Sequence, residues 1–176
     1  VYASHSNVTT CPPEAALPLL LIPTLSATGS EMNRCAVVSS ETRKQKSYIW
    51  SDCLLAKTAI LDPELTYTLP KFQTACGAID AISDVLEIFI NGQDKSDLLH
   101  EFQLGVIRTI VKNLPIAYEN PTDEDSRTEL MWAATCGING WASPGDAWTP
   151  IHQVGHVLTA LYGINHGSSL AVLMPA

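Results

Sequence analysis

The spacing of apolar residues changes once along this 176-residue chain, near Leu69 and Pro70. Before that point, short apolar runs separated by proline, glycine and serine are typical of strands and turns. After it, apolar residues recur at helical spacing almost to the end of the chain. The sequence therefore predicts an irregular, strand-rich first part and an all-helical second part.

Four short segments of the first part are predicted strands. Residues 17–22 are apolar on both faces and predict a buried strand, and residues 58–62 predict another that ends at Pro63. Residues 36–39 and 47–50 flank a polar turn and together predict a β-hairpin.

A loop of small and hydroxyl-bearing residues follows the first predicted strand. It reads PTLSATGSE over residues 23–31. Such loops can place backbone N–H groups and hydroxyls against a phosphate or a ribose. A plain turn can have the same composition, and with a single glycine the composition by itself favours that interpretation.

The first predicted helix carries three carboxylates on the face opposite its apolar stripe. Asp80, Asp84 and Glu87 are spaced i, i+4 and i+7, so they share one side of the helix. Like charges at this spacing repel one another. Either water solvates this face, which the sequence by itself favours, or a cation offsets the repulsion. Two more helices are predicted over residues 98–114, where Pro115 should break or kink the helix, and over about 127–141.

Three of the five histidines lie close together near the end of the chain. His152 and His156 are four residues apart and share one face of a predicted helix. Gly163 should end that helix, with Asn165 in a left-handed turn, so that His166 lies beside the helix end and begins another helix. Converging imidazoles suit a divalent metal or acid–base chemistry. Hydrogen-bonded polar side chains without a catalytic role are the alternative.

Composition excludes several classes of partner. A formal net charge of −8 argues against nucleic acid and anionic membranes, which need basic patches. No apolar run reaches the roughly 18 residues of a membrane span, and the first residues do not resemble a signal peptide. Five scattered cysteines without a CxxC motif indicate reduced thiols in a cytoplasmic protein.

Taken together, these motifs resemble the iron-containing (group III, metal-dependent) alcohol dehydrogenase family. The resemblance covers about residues 17–176 in order and spacing. The segments that carry it are PTLSATGSE at 23–31, ILDPELT at 60–66, LP at 69–70, GAIDA at 77–81 and the histidine stretch that ends at 166–167. Residues 27–31, 131–135 and 155–160 are most similar to the branch of NADPH-dependent aldehyde reductases and butanol dehydrogenases.

The resemblance implies an α/β nucleotide-binding part followed by an all-helical metal-binding domain, the dehydroquinate synthase-like architecture, incomplete at both ends. Residues 1–69 would be the C-terminal portion of the first domain, and residues 70–176 the first helices of the second. The family's glycine-rich phosphate loop and its last helices have no counterpart in this sequence. The chain by itself is therefore not expected to turn over substrate.

The activity implied by the resemblance is hydride transfer between NAD(P)H and a small alcohol or aldehyde. A divalent metal, Fe²⁺ or Zn²⁺, would act as a Lewis acid. The branch resemblance implies NADP(H) rather than NAD(H), and the protein is expected to be a homodimer. A glycerol-dehydrogenase or dehydroquinate-synthase-like enzyme of the same fold is one alternative. A degenerate, non-catalytic metal-binding relic is another.

The resemblance also assigns roles to individual residues. Asp80, His152 and His166 match three metal ligands, and Asp84 stands at the fourth ligand position, where the family has a histidine. His156 matches a histidine near the substrate that is not usually a ligand, so it is the expected catalytic residue. The residues expected to contact the nicotinamide cofactor are Thr24, Thr28, Ser30, Lys46 and Leu65.

Overall fold

The computed structural model describes residues 13–92, 96–142 and 149–175. The secondary structure changes from strand to helix where the apolar spacing changes, because the first helix begins at Lys71, directly after Pro70. No helix in the described ranges combines the length and the apolar character that crossing a membrane would require.

Two small sheets make up the strand-rich part. Strands β1 (Leu20–Leu21) and β4 (Thr58–Ala59) pair in parallel. Strands β2 (Cys35–Ser40) and β3 (Gln45–Trp50) form the predicted antiparallel hairpin, whose turn contains Lys44 in a left-handed conformation with φ 50°. Two short 3-10 helices, over residues 52–54 and 63–66, connect these strands to the helical part.

The prediction of a buried strand over residues 17–22 is wrong in length and in burial. Strand β1 has only two residues, and the side chains of Leu17 and Leu20 are 84% and 58% exposed. Within the described residues, β1 pairs only with β4. Apolar residues favour burial, but they are buried only where a neighbouring layer of the fold covers them.

Five α-helices follow in the described residues after Pro70, each with a local signal for where it begins or ends. Their bounds are α1 Lys71–Asn91, α2 Asp97–Glu119, α3 Glu124–Ile138, α4 Pro150–Tyr162 and α5 His166–Leu173. The side chains of Ser96, Asp123 and Asn165 accept hydrogen bonds from backbone N–H groups in the first turns of α2, α3 and α5. Pro150 occupies the first turn of α4, where its missing N–H costs nothing.

Two details of the predicted helix ends are corrected. Helix α2 continues through Pro115 to Glu119, and the fully buried Ala117 anchors the turn beyond the proline in the core. Gly163 itself takes the left-handed conformation, with φ 68°, while Asn165 has φ −56° and caps α5. Glycine adopts the left-handed region without steric cost, so the left-handed turn occurs at Gly163, directly after α4.

The core lies among α1, α2 and α3. It is built from small and medium apolar side chains, with Val85 and Ile110 fully buried between the helices. Helix α3 approaches α1 closely at Gly137, where an added Cβ would lie 3.0 Å from a methyl group of Val85. Helices α4 and α5 pack on the other side of α1, against its carboxylate-bearing face.

Candidate metal centre

The carboxylate face of α1 is buried, contrary to the sequence-based preference for a solvated face. Asp80, Asp84 and Glu87 are 5%, 9% and 1% exposed. Helices α4 and α5 cover this face with histidine side chains and with the amino-terminal end of α4. Buried carboxylates need cations or hydrogen-bond donors. Here α4 and α5, which are far along the chain from α1, provide the donors.

The structure brings Asp80, His152 and His166 together from three helices. One ligand atom from each lies within 4.8 Å of the other two. The distance to Asp80 Oδ1 is 3.8 Å from His152 Nε2 and 3.5 Å from His166 Nε2. These are the three residues that the family resemblance assigns as metal ligands.

Close packing at two glycines sets this geometry. An added Cβ on Gly167 would overlap the backbone of Cys76, so α5 lies directly against α1 and carries His166 to Asp80. An added Cβ on Gly155 would lie 3.0 Å from the side chain of Leu170, so α4 and α5 are also in close contact. The imidazoles of His152 and His166 meet edge to face, with ring centroids 5.4 Å apart.

Asp84 lies beside the three-residue cluster and is not a member of it. Its Oδ1 is 3.0 Å from His152 Nε2, yet its oxygens do not join the group of atoms within 4.8 Å of one another. Burial raises the pKa of Asp84 to about 6, against the opposing effect of the hydrogen bond and charge of His152. The Asp84 carboxylate therefore lies at the edge of the three-residue cluster.

Glu87 is a site residue whose role the sequence did not assign. Its Oε2 contacts His152 Nδ1, and it accepts hydrogen bonds from the backbone N–H groups of Ile151 (2.6 Å, to Oε1) and His152 (3.2 Å, to Oε2). The i+7 spacing from Asp80 was the available signal, since it places Glu87 on the same face two turns later. Nothing local shows that this face meets α4.

The carboxylates strongly favour a positive charge at His152. Burial by itself lowers the pKa of His152, but the hydrogen bonds that Asp80, Asp84 and Glu87 accept from its ring outweigh that effect and raise the pKa to about 12. The cluster is therefore an electronegative, mostly buried position where a proton or a metal cation is stabilised. Two imidazoles and a carboxylate also match the donor preferences of Fe(II) and Zn(II).

His156 faces the same region from one turn further along α4. Its ring centroid is 5.0 Å from that of His166. Burial, together with the charges of Lys46, His166 and His152, lowers the pKa of His156 to about 3, so its imidazole is neutral at pH 7. Its Nδ1 is buried and makes no hydrogen bond to any described residue.

The five residues expected at the cofactor fall into two groups. Thr24, Thr28 and Ser30 lie exposed on the loop before β2, and Leu65 is 42% exposed. Lys46 is instead 8% exposed on β3. Burial lowers the pKa of Lys46, while the nearby charge of Asp80 opposes that shift. This lysine therefore lies near the cluster of Asp80, His152 and His166.

Alternate residues of the loop before β2 point in opposite directions. Ala27, Gly29, Glu31 and Asn33 are buried, whereas the two hydroxyl residues between Ala27 and Glu31 are exposed. The buried side is held against α3, where Thr135 donates a hydrogen bond to Glu31. An added Cβ on Gly29, whose φ is 53°, would lie 2.9 Å from a carbonyl oxygen of α3. The loop is thus a fixed surface.

Comparison with known proteins gives consistent matches along the chain. Residues 2–63 match the family described as iron-containing alcohol dehydrogenase, and residues 74–176 match the C-terminal part of the Fe-containing alcohol dehydrogenase family. NADH-dependent butanol dehydrogenase A of Clostridium acetobutylicum is 39% identical over 160 residues, which are 90% of this chain and 41% of that protein. NADPH-dependent aldehyde reductase YqhD of Escherichia coli is 36% identical over 165 residues, which are 93% of this chain and 42% of that protein.

The fold matches solved structures of the same kind. The crystal structure of NADH-dependent butanol dehydrogenase A from Thermotoga maritima superposes with a TM-score of 0.89 at 41% identity, covering 92% of this chain and 41% of that one. The chain thus spans about two-fifths of the length of the relatives that it matches. It belongs to the iron-containing alcohol dehydrogenase family.

Proposed function

We propose that this chain provides the metal centre and part of the cofactor site of a metal-dependent alcohol dehydrogenase or aldehyde reductase that uses NAD(P)H. The observation that carries this proposal is the convergence of Asp80, His152 and His166, whose ligand atoms lie within 4.8 Å of one another. Residues 1–69 would contribute to nucleotide binding, and residues 70–176 would hold the metal.

The donor set fits Fe(II) or Zn(II). A carboxylate oxygen and two imidazole nitrogens are ligands that both ions accept, with positions left open for a substrate. A divalent ion bound there would act as a Lewis acid that polarises the oxygen of the alcohol or aldehyde. Asp80 would also offset part of the ion's charge, because its carboxylate is 5% exposed and largely shielded from water.

His156 would hold or pass the proton that accompanies hydride transfer. It is neutral at pH 7 because burial and neighbouring positive charges hold its pKa at about 3, so one ring nitrogen can accept a proton while the other donates one. Its buried Nδ1 has no hydrogen-bond partner among the described residues. A substrate hydroxyl or a water could supply that partner.

The hydroxyls of Thr24, Thr28 and Ser30 would bind the cofactor. They are exposed on a loop whose other side is fixed against α3, so they can bind a phosphate or a ribose at little entropic cost. The names of the relatives include both an NADH-dependent and an NADPH-dependent enzyme. We propose NADPH as the preferred cofactor, from the resemblance of residues 27–31, 131–135 and 155–160 to the aldehyde reductase branch, and a homodimer as the assembly.

Two measurements test the proposal. The first is a titration of the chelator-treated chain with Zn(II), and with Fe(II) without oxygen, where we expect one ion per chain. The second is aldehyde-dependent oxidation of NADPH and NADH by the gene product that carries this sequence, with butanal as the substrate and metal supplied. His166→Ala should abolish both, whereas His100→Ala, in α2 against Phe89, should affect neither.

The results separate the alternatives. Metal binding without oxidation of either nicotinamide would indicate a metal-binding relic. Equal metal affinity in the His166→Ala and His100→Ala proteins would show that the cluster is not the metal centre.

A further inference from the structure

We propose that Glu87 is a positioning residue that fixes His152 with Nδ1 protonated and Nε2 directed at the metal. The inference rests on the proposed metal centre and adds a residue that contacts Nδ1 of His152 and not the proposed ligand atom Nε2. Glu87 is 1% exposed and lies two helical turns beyond Asp80 on α1.

The contact with Glu87 determines that Nδ1 of the His152 imidazole carries a proton. An ionised carboxylate can only accept hydrogen bonds. Oε2 of Glu87 contacts His152 Nδ1, so Nδ1 must carry the proton. The other nitrogen, Nε2, lies 3.0 Å from Asp84 Oδ1 and carries a second proton when the ring is charged. A bound metal would replace that proton and take the lone pair of Nε2, while Nδ1–H stays on Glu87. Nε2 is the atom that faces Asp80 Oδ1 at 3.8 Å, which is where a metal ligand is needed.

The same carboxylate also holds the beginning of α4. Thr149, which precedes the helix, makes no side-chain cap hydrogen bond, so the first N–H groups of the helix need other acceptors. Glu87 accepts from Ile151 N–H at 2.6 Å and from His152 N–H at 3.2 Å. Its negative charge also lies at the positive end of the helix dipole. The backbone and the ring of His152 are thus both bound to Glu87.

Glu87→Gln is the informative change, because it preserves the shape and alters only the hydrogen-bonding capacity. A glutamine can still accept from Ile151 N–H, but its NH₂ group would face two donors, the N–H of His152 and its Nδ1–H. In that orientation the ring can satisfy the NH₂ group only by moving its proton to Nε2, which removes the lone pair that would bind the metal. In the flipped orientation the NH₂ group faces Ile151 N–H instead, so the first turn of α4, which carries His152, loses its acceptor. We therefore expect a 10–100-fold loss of metal affinity, the usual effect of losing a partner that orients a ligand.

The experiment measures Zn(II) affinity by competition with a chromophoric chelator. The proteins compared are the unaltered chain, Glu87→Gln and the control Glu101→Gln, which makes the same change of charge at an exposed position on α2. Urea unfolding of the three metal-free proteins accompanies it. We expect Glu87→Gln to lose affinity 10–100-fold while the control stays within twofold. Equal affinity in Glu87→Gln and the control would overturn the inference.

A second measurement needs no variant and separates positioning from a general effect of charge or stability. In the zinc-loaded chain with ¹⁵N-labelled histidine, the ring nitrogen shifts of His152 should show Nε2 bound to the metal and Nδ1 protonated. Zinc bound through Nδ1 would overturn the inference and leave the metal centre intact. Absence of zinc from the unaltered chain would instead overturn the proposed metal centre, and the inference with it.

Discussion

At the scale of single residues, Asp84 limits how many ligands the buried face of α1 can offer. The Nε2 atom of a histidine lies one bond further from the backbone than the carboxylate oxygens of an aspartate do. Asp84 approaches His152 Nε2 to 3.0 Å but stays outside the group formed by Asp80, His152 and His166. Two carboxylates around a divalent ion would also leave it less positive and a weaker Lewis acid.

The first prediction is that Asp84→His raises the affinity of the chain for Zn(II) or Fe(II). The longer side chain would add a third imidazole ligand. Gain or loss of a ligand, or of a group that orients one, commonly changes metal affinity by about 10–100-fold. Titration of both proteins with each metal measures the change. If the unaltered chain already binds one ion and the variant binds no more tightly, the argument from reach and charge is wrong.

The second prediction concerns His156, which lies beside the cluster without belonging to it. We expect His156→Ala to leave metal affinity unchanged within about threefold, and to lower the kcat of aldehyde reduction by about 10²–10⁴-fold, the usual contribution of a positioned acid or base. Metal titration of the chain and steady-state kinetics of the gene product that carries it provide the two readouts. Parallel loss of metal and activity would make His156 a ligand instead.

At the scale of elements, the contact between α1 and α5 brings two of the proposed ligands together. Gly167 follows His166 directly and lies against the backbone of Cys76, four residues before Asp80. No side chain fits between these helices, so any larger residue must push α5 away from α1. The distance between Asp80 and His166 therefore depends on a residue that has no chemistry of its own.

The third prediction is that Gly167→Ala lowers both stability and metal affinity. Overpacking of this kind costs about 1–3 kcal/mol, and separation of the helices should weaken zinc binding as well. The matched control is Gly105→Ala in α2, where an added Cβ meets no atom within 4 Å and should stabilise the helix by about 0.5–1 kcal/mol. Urea unfolding and zinc titration of both variants measure these effects. Equal stability of the two variants would contradict the role given to this contact.

At the scale of the whole molecule, buried ionisable groups determine how stability depends on pH when no metal is bound. His156 and His166 have pKa values lowered to about 3 and about 4, mainly by burial. Their contribution to stability is present above their unfolded value of 6.5 and is lost as the pH falls through the folded values. Asp84, whose pKa burial raises to about 6, acts in the opposite direction, because its contribution to stability is lost as the pH rises through 6.

The fourth prediction is that the free energy of unfolding of the metal-free chain rises between about pH 4 and pH 6.5, because two histidines there outweigh one aspartate. Above pH 6.5 it should fall, since the contribution of His152, whose pKa is raised to about 12, is lost as the pH rises toward that value. Urea unfolding with a chelator across this range measures the curve. In His156→Ala the slope of the unfolding free energy against pH should be smaller, because up to one proton fewer is taken up on unfolding. A slope identical to that of the unaltered chain would mean that His156 is not buried as a neutral group.

Local sequence determined where the helices lie and how several of them end. Ser96, Pro150 and Gly163 act through their own backbone and their nearest neighbours, so each can be interpreted without a tertiary structure. The β2–β3 hairpin was predictable for the same reason, because its two strands are separated by one short turn. The order and spacing of the motifs were also sufficient to indicate the family.

Only the tertiary structure decided which surfaces are covered. Asp80, Asp84 and Glu87 have a spacing that by itself favours a solvated face, and they are buried because α4 and α5 lie over them. The contact of Glu87 with His152 joins residues 65 positions apart, and no local pattern specifies such a pairing. The exposed β1 is the converse case, since its apolar residues have too few described neighbours to bury them. Hydrogen-bonding partners and burial both depend on residues that are distant in sequence, whereas helix periodicity and capping depend on adjacent ones.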